Sequence, residues 1–304
     1  MPYPLHTLDV FTTEPLGGNP LAVVRDAAGL DALTMQRIAG ELGLSETVFV
    51  LPPTDARTAL CRLRIFTPAV ELPFAGHPTI GTAILLADLG LAPFVGDTAS
   101  FVLEENVGPV PLTVRRTPDG ELTAMLTAAR LPEEGPAPPH APLIAKVLGL
   151  ELQDLALDGL GPRAYSAGWP YLIVPLRDRA ALARARVDLA QWREHLAGYW
   201  APSLYLVTHD TGTDAVQVRA RMFGPALGIP EDPATGAGAL DLIGYLVDQE
   251  RPADGTRRWV LDQGVEMGRP SRLIIEADVQ GRRVRAARLA GTARRMIDGT
   301  LRIP

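Results

Sequence analysis

The stretch Glu71-Leu72-Pro73-Phe74-Ala75-Gly76-His77-Pro78-Thr79-Ile80-Gly81-Thr82-Ala83 decides the fold. It reads as a loop that turns into a helix. Gly76 and Pro78 bracket His77, and the run from Thr79 to Leu89 is apolar, alanine-rich and unbroken until Gly90. Proline is favourable just inside a helix start, because its missing N–H would be unpaired there anyway. The N–H groups of such a first turn make a ready site for an anion. A second stretch, Glu231-Asp232-Pro233-Ala234-Thr235-Gly236-Ala237-Gly238-Ala239, has the same character and feeds a second apolar helix, Ala239 to Val247. Two such turns, each led by a titratable residue, are the main sequence clue to function.

An internal repeat emerges when the halves are laid together. Arg64-Ile65-Phe66 with Pro68 matches Arg221-Met222-Phe223 with Pro225. His77-Pro78 with Gly81 matches Asp232-Pro233 with Gly236, and Gly18, Pro20 and Val24 match Gly168, Pro170 and Val174. The offsets lie between 150 and 157 residues, about half the chain. So long a period implies two similar domains rather than a short-period solenoid. If the halves pack face to face, the two helix starts converge on one cleft, where small ligands commonly bind.

In that arrangement His77 and Asp232 face one another, each at a helix N-terminus. The dipole there lowers the pKa of Asp232 and disfavours imidazolium at His77. Taken singly, an aspartate before proline is a common helix cap, and a lone histidine is usually structural. Their matched places in the repeat shift that balance. Glu46 is the third candidate: it precedes the apolar run Thr47 to Leu51, and a carboxyl drawn out of water exchanges protons near neutral pH. Gly76, Gly236 and Gly238 allow close backbone approach to a ligand, and the adjacent N–H groups suit a carboxylate or enolate.

Composition narrows the chemistry. The chain has 304 residues, 47% of them hydrophobic, enough for one large or two medium domains with a proper core. A net charge of −6 argues against a general nucleic-acid binder. No apolar run reaches the length of a membrane span, and Met1 to Pro4 lead straight into a strand-like His6 to Phe11 rather than a signal peptide. The single cysteine, Cys61, rules out an internal disulfide and suits a cytoplasmic protein. It also rules out a two-thiol racemase. Lys146 is the only lysine and reads as the polar side of a short helix, which disfavours a pyridoxal Schiff base. The five histidines lack metal-ligand spacing, and no G-x-G-x-x-G follows a strand. Helices are expected over 33–42 and 178–196, strands over 47–51 and 60–66, and a proline-rich linker over 131–142.

Several motifs together are similar to the PhzF-like phenazine-biosynthesis isomerase family. They are Gly18-Asn19-Pro20, Met35 to Ala39 with Leu44-Ser45-Glu46, Phe66 to Pro78, Glu231-Asp232 with Ala234 to Gly236, and Gln263 to Ser271. The resemblance spans nearly the whole chain. It implies an α/β (α+β) diaminopimelate epimerase-like fold of two pseudo-symmetric domains, each a mixed β-sheet or barrel wrapped around a central helix. The first domain is expected over residues 1–130, completed by the last residues of the chain, and the second over 131–304. It further implies a cofactor-free enzyme, usually a homodimer; with the acidic net charge and no apolar span, the expected partner is a small carboxylated substrate, with no nucleic acid and no membrane. In the family the glutamate matching Glu46 is the principal proton-transfer residue. The positions matching His77 and Asp232 assist, where thiol racemases of the same fold carry cysteines. The best-known member isomerises trans-2,3-dihydro-3-hydroxyanthranilate by moving a proton along a conjugated ring. It has a serine where Ala237 stands here, so the substrate is open. Epimerisation or dehydration of an amino or hydroxy acid at the same residues, and ligand binding without catalysis, are the alternatives.

Overall fold

A computed structural model describes residues 2–303. The chain divides into two compact units, Met1–Ala129 with Leu289–Pro304, and Arg130–Arg288.

Unit 1 contains β1 (Pro2–Val10), β2 (Asn19–Val24), α1 (Ala32–Leu42), β3 (Glu46–Leu51), β4 (Cys61–Phe66), β5 (Glu71–Leu72), α2 (Gly76–Asp88), β6 (Phe94–Val95), β7 (Thr98–Glu105), β8 (Gly108–Arg116) and β9 (Leu122–Thr127). Unit 2 contains β10 (Glu133–Glu134), α3 (Ala141–Val147), β11 (Arg163–Ser166), β12 (Pro170–Pro175), α4 (Arg179–Arg184), α5 (Leu189–His195), β13 (Ser203–Thr208), β14 (Val218–Gly224), β15 (Ile229–Asp232), α6 (Gly236–Glu250), β16 (Gly255–Gln263) and β17 (Ser271–Gln280). The last strand, β18 (Arg283–Arg302), belongs to unit 1 from Leu289 onward.

The strands of unit 1 close a ring. β1 pairs antiparallel with β2, β2 parallel with β3, β3 antiparallel with β4, and β4 parallel with β7. β7, β8 and β9 follow as an antiparallel meander, and β18 joins β9 back to β1. Among the described residues, closure gives each strand of the ring a neighbour on both sides, which protects their edges. The ring wraps α2, whose residues from Gly76 to Ala87 are all buried, against β1, β2, β3, β8 and β9. A helix apolar on every side is one that belongs inside a sheet. At Gly81 a Cβ would come 2.6 Å from Leu21 and 2.7 Å from Val10, so glycine lets α2 approach the sheet closely. The helix starts three residues before the expected Thr79, which places His77 within its first turn.

Unit 2 repeats the plan. β11–β12 is antiparallel, β12–β13 parallel, β13–β14 antiparallel, β14–β16 parallel and β16–β17 antiparallel, with α6 on β11, β12 and β17. The predicted helix over 178–196 is two helices. Asp178 accepts from Ala181 N, and Asp188 accepts from Ala190 N and Gln191 N, so each aspartate starts a helix of its own. The stretch read as linker also holds a short strand, β10, paired with β11.

The ladder registers correct one part of the repeat. In β2–β3 Leu21 lies opposite Glu46, and in β12–β13 Tyr171 lies opposite Ser203, which matches Glu46 with Ser203. Arg64 forms a bidentate pair with Glu71 (2.8 and 2.6 Å), and Arg221 does the same with Glu231 (2.7 and 2.9 Å). β4 places Ile65 opposite Leu72, and β14 places Met222 opposite Asp232. The helices then begin at Gly76 and Gly236. His77 therefore matches Ala237, and Asp232 matches Leu72; His77 and Asp232 are not equivalent to one another. Arginine and glutamate are seven residues apart in unit 1 and ten in unit 2. The extra residues form the 3-10 turn Pro225–Leu227, which shifts the frame after a correct match upstream.

Candidate active site

In unit 1 two parallel neighbours and the central helix bring three polar side chains together. Asn19 is the first residue of β2, and Glu46 is the first residue of β3. Gly43, in the left-handed conformation, closes α1 just before β3. His77 is the second residue of α2. Its Nδ1 lies 3.3 Å from Glu46 Oε2 and 3.3 Å from Asn19 Nδ2. Its Nε2 makes no hydrogen bond among the described residues. All three residues are buried, Glu46 being 8% and His77 3% exposed. Burial pushes the imidazole down to about 3, opposed by a hydrogen bond to the Pro20 carbonyl. His77 is therefore neutral at physiological pH, able to share a proton while adding no charge beside Glu46.

In unit 2 Asp232, 4% exposed, ends β15 three residues before the helix cap. Thr235 Oγ1 donates to Asp232 Oδ2 at 2.6 Å. Gln263, the last residue of β16 and fully buried, fixes this corner. Its Nε2 donates to Asp232 O (2.8 Å) and Thr235 Oγ1 (2.9 Å), and its Oε1 accepts from Thr235 N (3.1 Å) and Tyr205 OH (3.0 Å). With all four positions of the amide used, its orientation is determined. Thr235 Oγ1, already accepting from Gln263, then gives its only proton to Asp232.

Neither Ala75 nor Thr235 caps its helix with a side chain. At Gly238 a Cβ would come 2.8 Å from the Tyr205 ring, so the glycine makes room for that tyrosine. Ala237 is partly exposed between buried Gly236 and Gly238. The sequence reading omitted Asn19 and Gln263 from the site, although both fall in stretches it singled out. The signal was an amide at the start or end of an apolar strand.

A mixed sheet closed around a buried helix, with a buried carboxyl beside a neutral imidazole near the helix start, is an arrangement able to exchange protons. Comparison with known proteins carries this further. The family model described as phenazine biosynthesis-like protein matches residues 8–299. An uncharacterized isomerase of Mesorhizobium japonicum is 43% identical over 298 residues, 96% of each chain. The trans-2,3-dihydro-3-hydroxyanthranilate isomerase of Pseudomonas aeruginosa is 37% identical over 292 residues, again 96% of each. Among solved structures, the PhzF-family phenazine biosynthesis protein of Bacillus anthracis superposes with a TM-score of 0.88 at 27% identity, over all of both chains. A hydroxyproline epimerase of Agrobacterium vitis shares the fold, with a TM-score of 0.66 at 13% identity over 99% of this chain and 92% of its own. The chain belongs to the PhzF-type phenazine biosynthesis-like family, and it is an isomerase of that type. No helix among the described residues is long and apolar enough to cross a membrane.

Proposed function

We propose that this isomerase moves a proton within a small carboxylated substrate resembling trans-2,3-dihydro-3-hydroxyanthranilate, by acid–base catalysis without a cofactor. Glu46 lifts the proton and returns it to another carbon, while His77 and Asp232 assist. The observation that carries the reading is the buried Glu46–His77 pair, 3.3 Å apart. Out of water, a carboxylate is a stronger base toward carbon acids, and a neutral imidazole beside it can hold or relay a proton. The uncapped first turns of α2, with Gly76, and of α6, with Gly236, Ala237 and Gly238, each carry N–H groups of the kind that bind a carboxylate. The substrate class comes from the named relative in Pseudomonas aeruginosa.

The test is turnover of trans-2,3-dihydro-3-hydroxyanthranilate in deuterium oxide by the wild type and by Glu46→Gln. A shifted double bond, with activity reduced roughly 10²–10⁴-fold in the variant, is expected. Full activity in Glu46→Gln overturns the assignment. Deuterium entering a stereocentre of an amino or hydroxy acid, with no double-bond shift, would instead make the chain an epimerase.

A further inference from the structure

Glu105 is a buried acid that the proposed chemistry does not use. It ends β7 and is 4% exposed. Its Oε1 lies 2.6 Å from Thr79 Oγ1, in the turn of α2 that carries His77. The same hydroxyl lies 2.7 Å from the carbonyl of Ala75, the helix cap residue. A threonine hydroxyl has one proton to give. The Ala75 carbonyl can only accept, so two full two-centre hydrogen bonds at these lengths require Glu105 to be the donor in one of them; an ionised Glu105 would leave the one proton divided between two acceptors. A carboxyl donates only when it is protonated.

The other unit supports this proton count. β4–β7 places Cys61 opposite Leu103, and β14–β16 places Val218 opposite Leu261. With Arg64 matched to Arg221, this register makes Gln263 the counterpart of Glu105, each the last residue of its strand. Gln263 is uncharged, and it donates to a threonine hydroxyl at the start of α6. The two units thus put a side chain that binds a helix-start threonine at the same strand position, and in unit 2 that side chain is an uncharged donor. Around Glu105 the Thr79 hydroxyl is the one described group that favours its ionised form, and burial outweighs it. Among the described residues it forms no ion pair. From β4 it meets the thiol of Cys61, which burial and Glu105 itself push up to about 12. From α2 it meets Thr79, and His77 two residues away is neutral. Arg62 and Arg64 of β4 are engaged by Glu104 and Glu71. Burial accordingly raises the Glu105 carboxyl to about 8, against the Thr79 bond, which works the other way.

We infer that Glu105 is a positioning residue that acts as a protonated acid: it donates to Thr79, which ties the first turn of α2 to its cap and so fixes His77 beside Glu46. The inference rests on the proposed function only for the catalytic use of His77. The experiment has a substrate-free arm and an activity arm. In the first, infrared difference spectra at pH 6 of wild type and Glu105→Gln are expected to show one protonated-carboxyl band that the variant lacks. The ¹⁵N shifts of the His77 ring are expected to hold in Glu105→Gln and to move in Glu105→Ala and in the near-isosteric Thr79→Val. In the second arm, Thr79→Val and Glu105→Ala lower kcat/KM on trans-2,3-dihydro-3-hydroxyanthranilate about tenfold or more. Glu105→Gln restores it, and keeps it above pH 8, where the wild type declines. An ionised Glu105 at pH 6, or His77 shifts that move as far in Glu105→Gln as in Thr79→Val, overturns the inference. No turnover by any form, with the spectroscopic results as expected, removes the proposed substrate and leaves the brace standing.

Discussion

Glu105 makes a thermodynamic prediction that needs no substrate. Its carboxyl goes from an ordinary 4.5 in the unfolded chain to about 8 in the native one. Between those values the native state holds a proton that the unfolded state has lost. The stability due to the protonated acid is then complete below about pH 4.5 and declines to nothing by about pH 8. Each pH unit in this window is worth about 1.4 kcal/mol, so the interval spans up to about 5 kcal/mol. Glutamine cannot titrate. The stability of Glu105→Gln relative to the wild type should therefore rise with pH, by roughly 2–3 kcal/mol between pH 5 and 7, and level off above pH 8. All four tryptophans, Trp169, Trp192, Trp200 and Trp259, lie in unit 2, so their fluorescence is a poor reporter of unit 1. Amide hydrogen exchange of peptides covering residues 76–88, at matched intrinsic exchange, reads the helix itself. A stability difference independent of pH from 5 to 8, or one that falls as pH rises, refutes the reasoning.

Three further outcomes follow from other parts of the molecule. Ala237→Ser restores the hydroxyl expected in the best-known family member, and one added hydrogen bond of about 0.5–1.5 kcal/mol should raise kcat/KM for trans-2,3-dihydro-3-hydroxyanthranilate roughly 2- to 12-fold; a lower value would place the hydroxyl outside substrate contact. Arg221 is 3% exposed, pairs with Glu231 and donates to the carbonyls of Leu182, Ala183 and Ala185 at the end of α4. Arg221→Met leaves those groups and Glu231 without their partner, and should cost about 3–5 kcal/mol in urea unfolding followed by tryptophan fluorescence. Cys61 is buried, with its thiol pushed up to about 12; a thiol reagent at pH 8 should modify it only as fast as unit 1 opens, so rapid labelling of native protein would contradict its buried place at the start of β4.

The architecture was legible because its signals are local. Apolar runs of the right length, glycine and proline punctuation and a half-chain repeat all reflect backbone needs that adjacent residues state directly. His77 stood out locally as a titratable group at a helix start, whereas Glu46 was unremarkable by local pattern and was singled out by the family resemblance; the structure places the two 3.3 Å apart. The frame of the repeat was not. His77-Pro78 and Asp232-Pro233 look alike because proline suits both a helix interior's first turn and the end of a strand, two different positions. The better guide was the arginine–glutamate pairing, which a three-residue insertion hid from simple spacing. The roles of Glu105 and Gln263 depend on parallel ladders between segments about 40 residues apart, and no local pattern encodes those. The break at Asp188 was visible in principle, since an aspartate followed by a helical run is a start signal even inside a longer helical pattern.

The corrected frame bears on mechanism. Epimerases that use two bases need a titratable group on each side of one carbon, and a duplicated fold supplies them most simply at equivalent positions. Here equivalent positions differ in chemistry. Glu46 matches Ser203, His77 matches Ala237, and Asp232 matches Leu72. Unit 1 holds a carboxylate and an imidazole side by side, while unit 2 offers one carboxylate whose hydrogen bond from Thr235 and rigid Gln263 support suit orientation better than proton shuttling. Where the repeat stayed chemically conservative is in the structural brace, with Glu105 and Gln263 each uncharged at the end of a strand and each holding a threonine at a helix start. In the proposed reaction a single base, Glu46, takes a proton from one carbon and returns it to another on the same face, with His77 beside it in unit 1; unlike residues at equivalent positions are in keeping with that proposal, whereas a matched pair of bases would call for like ones.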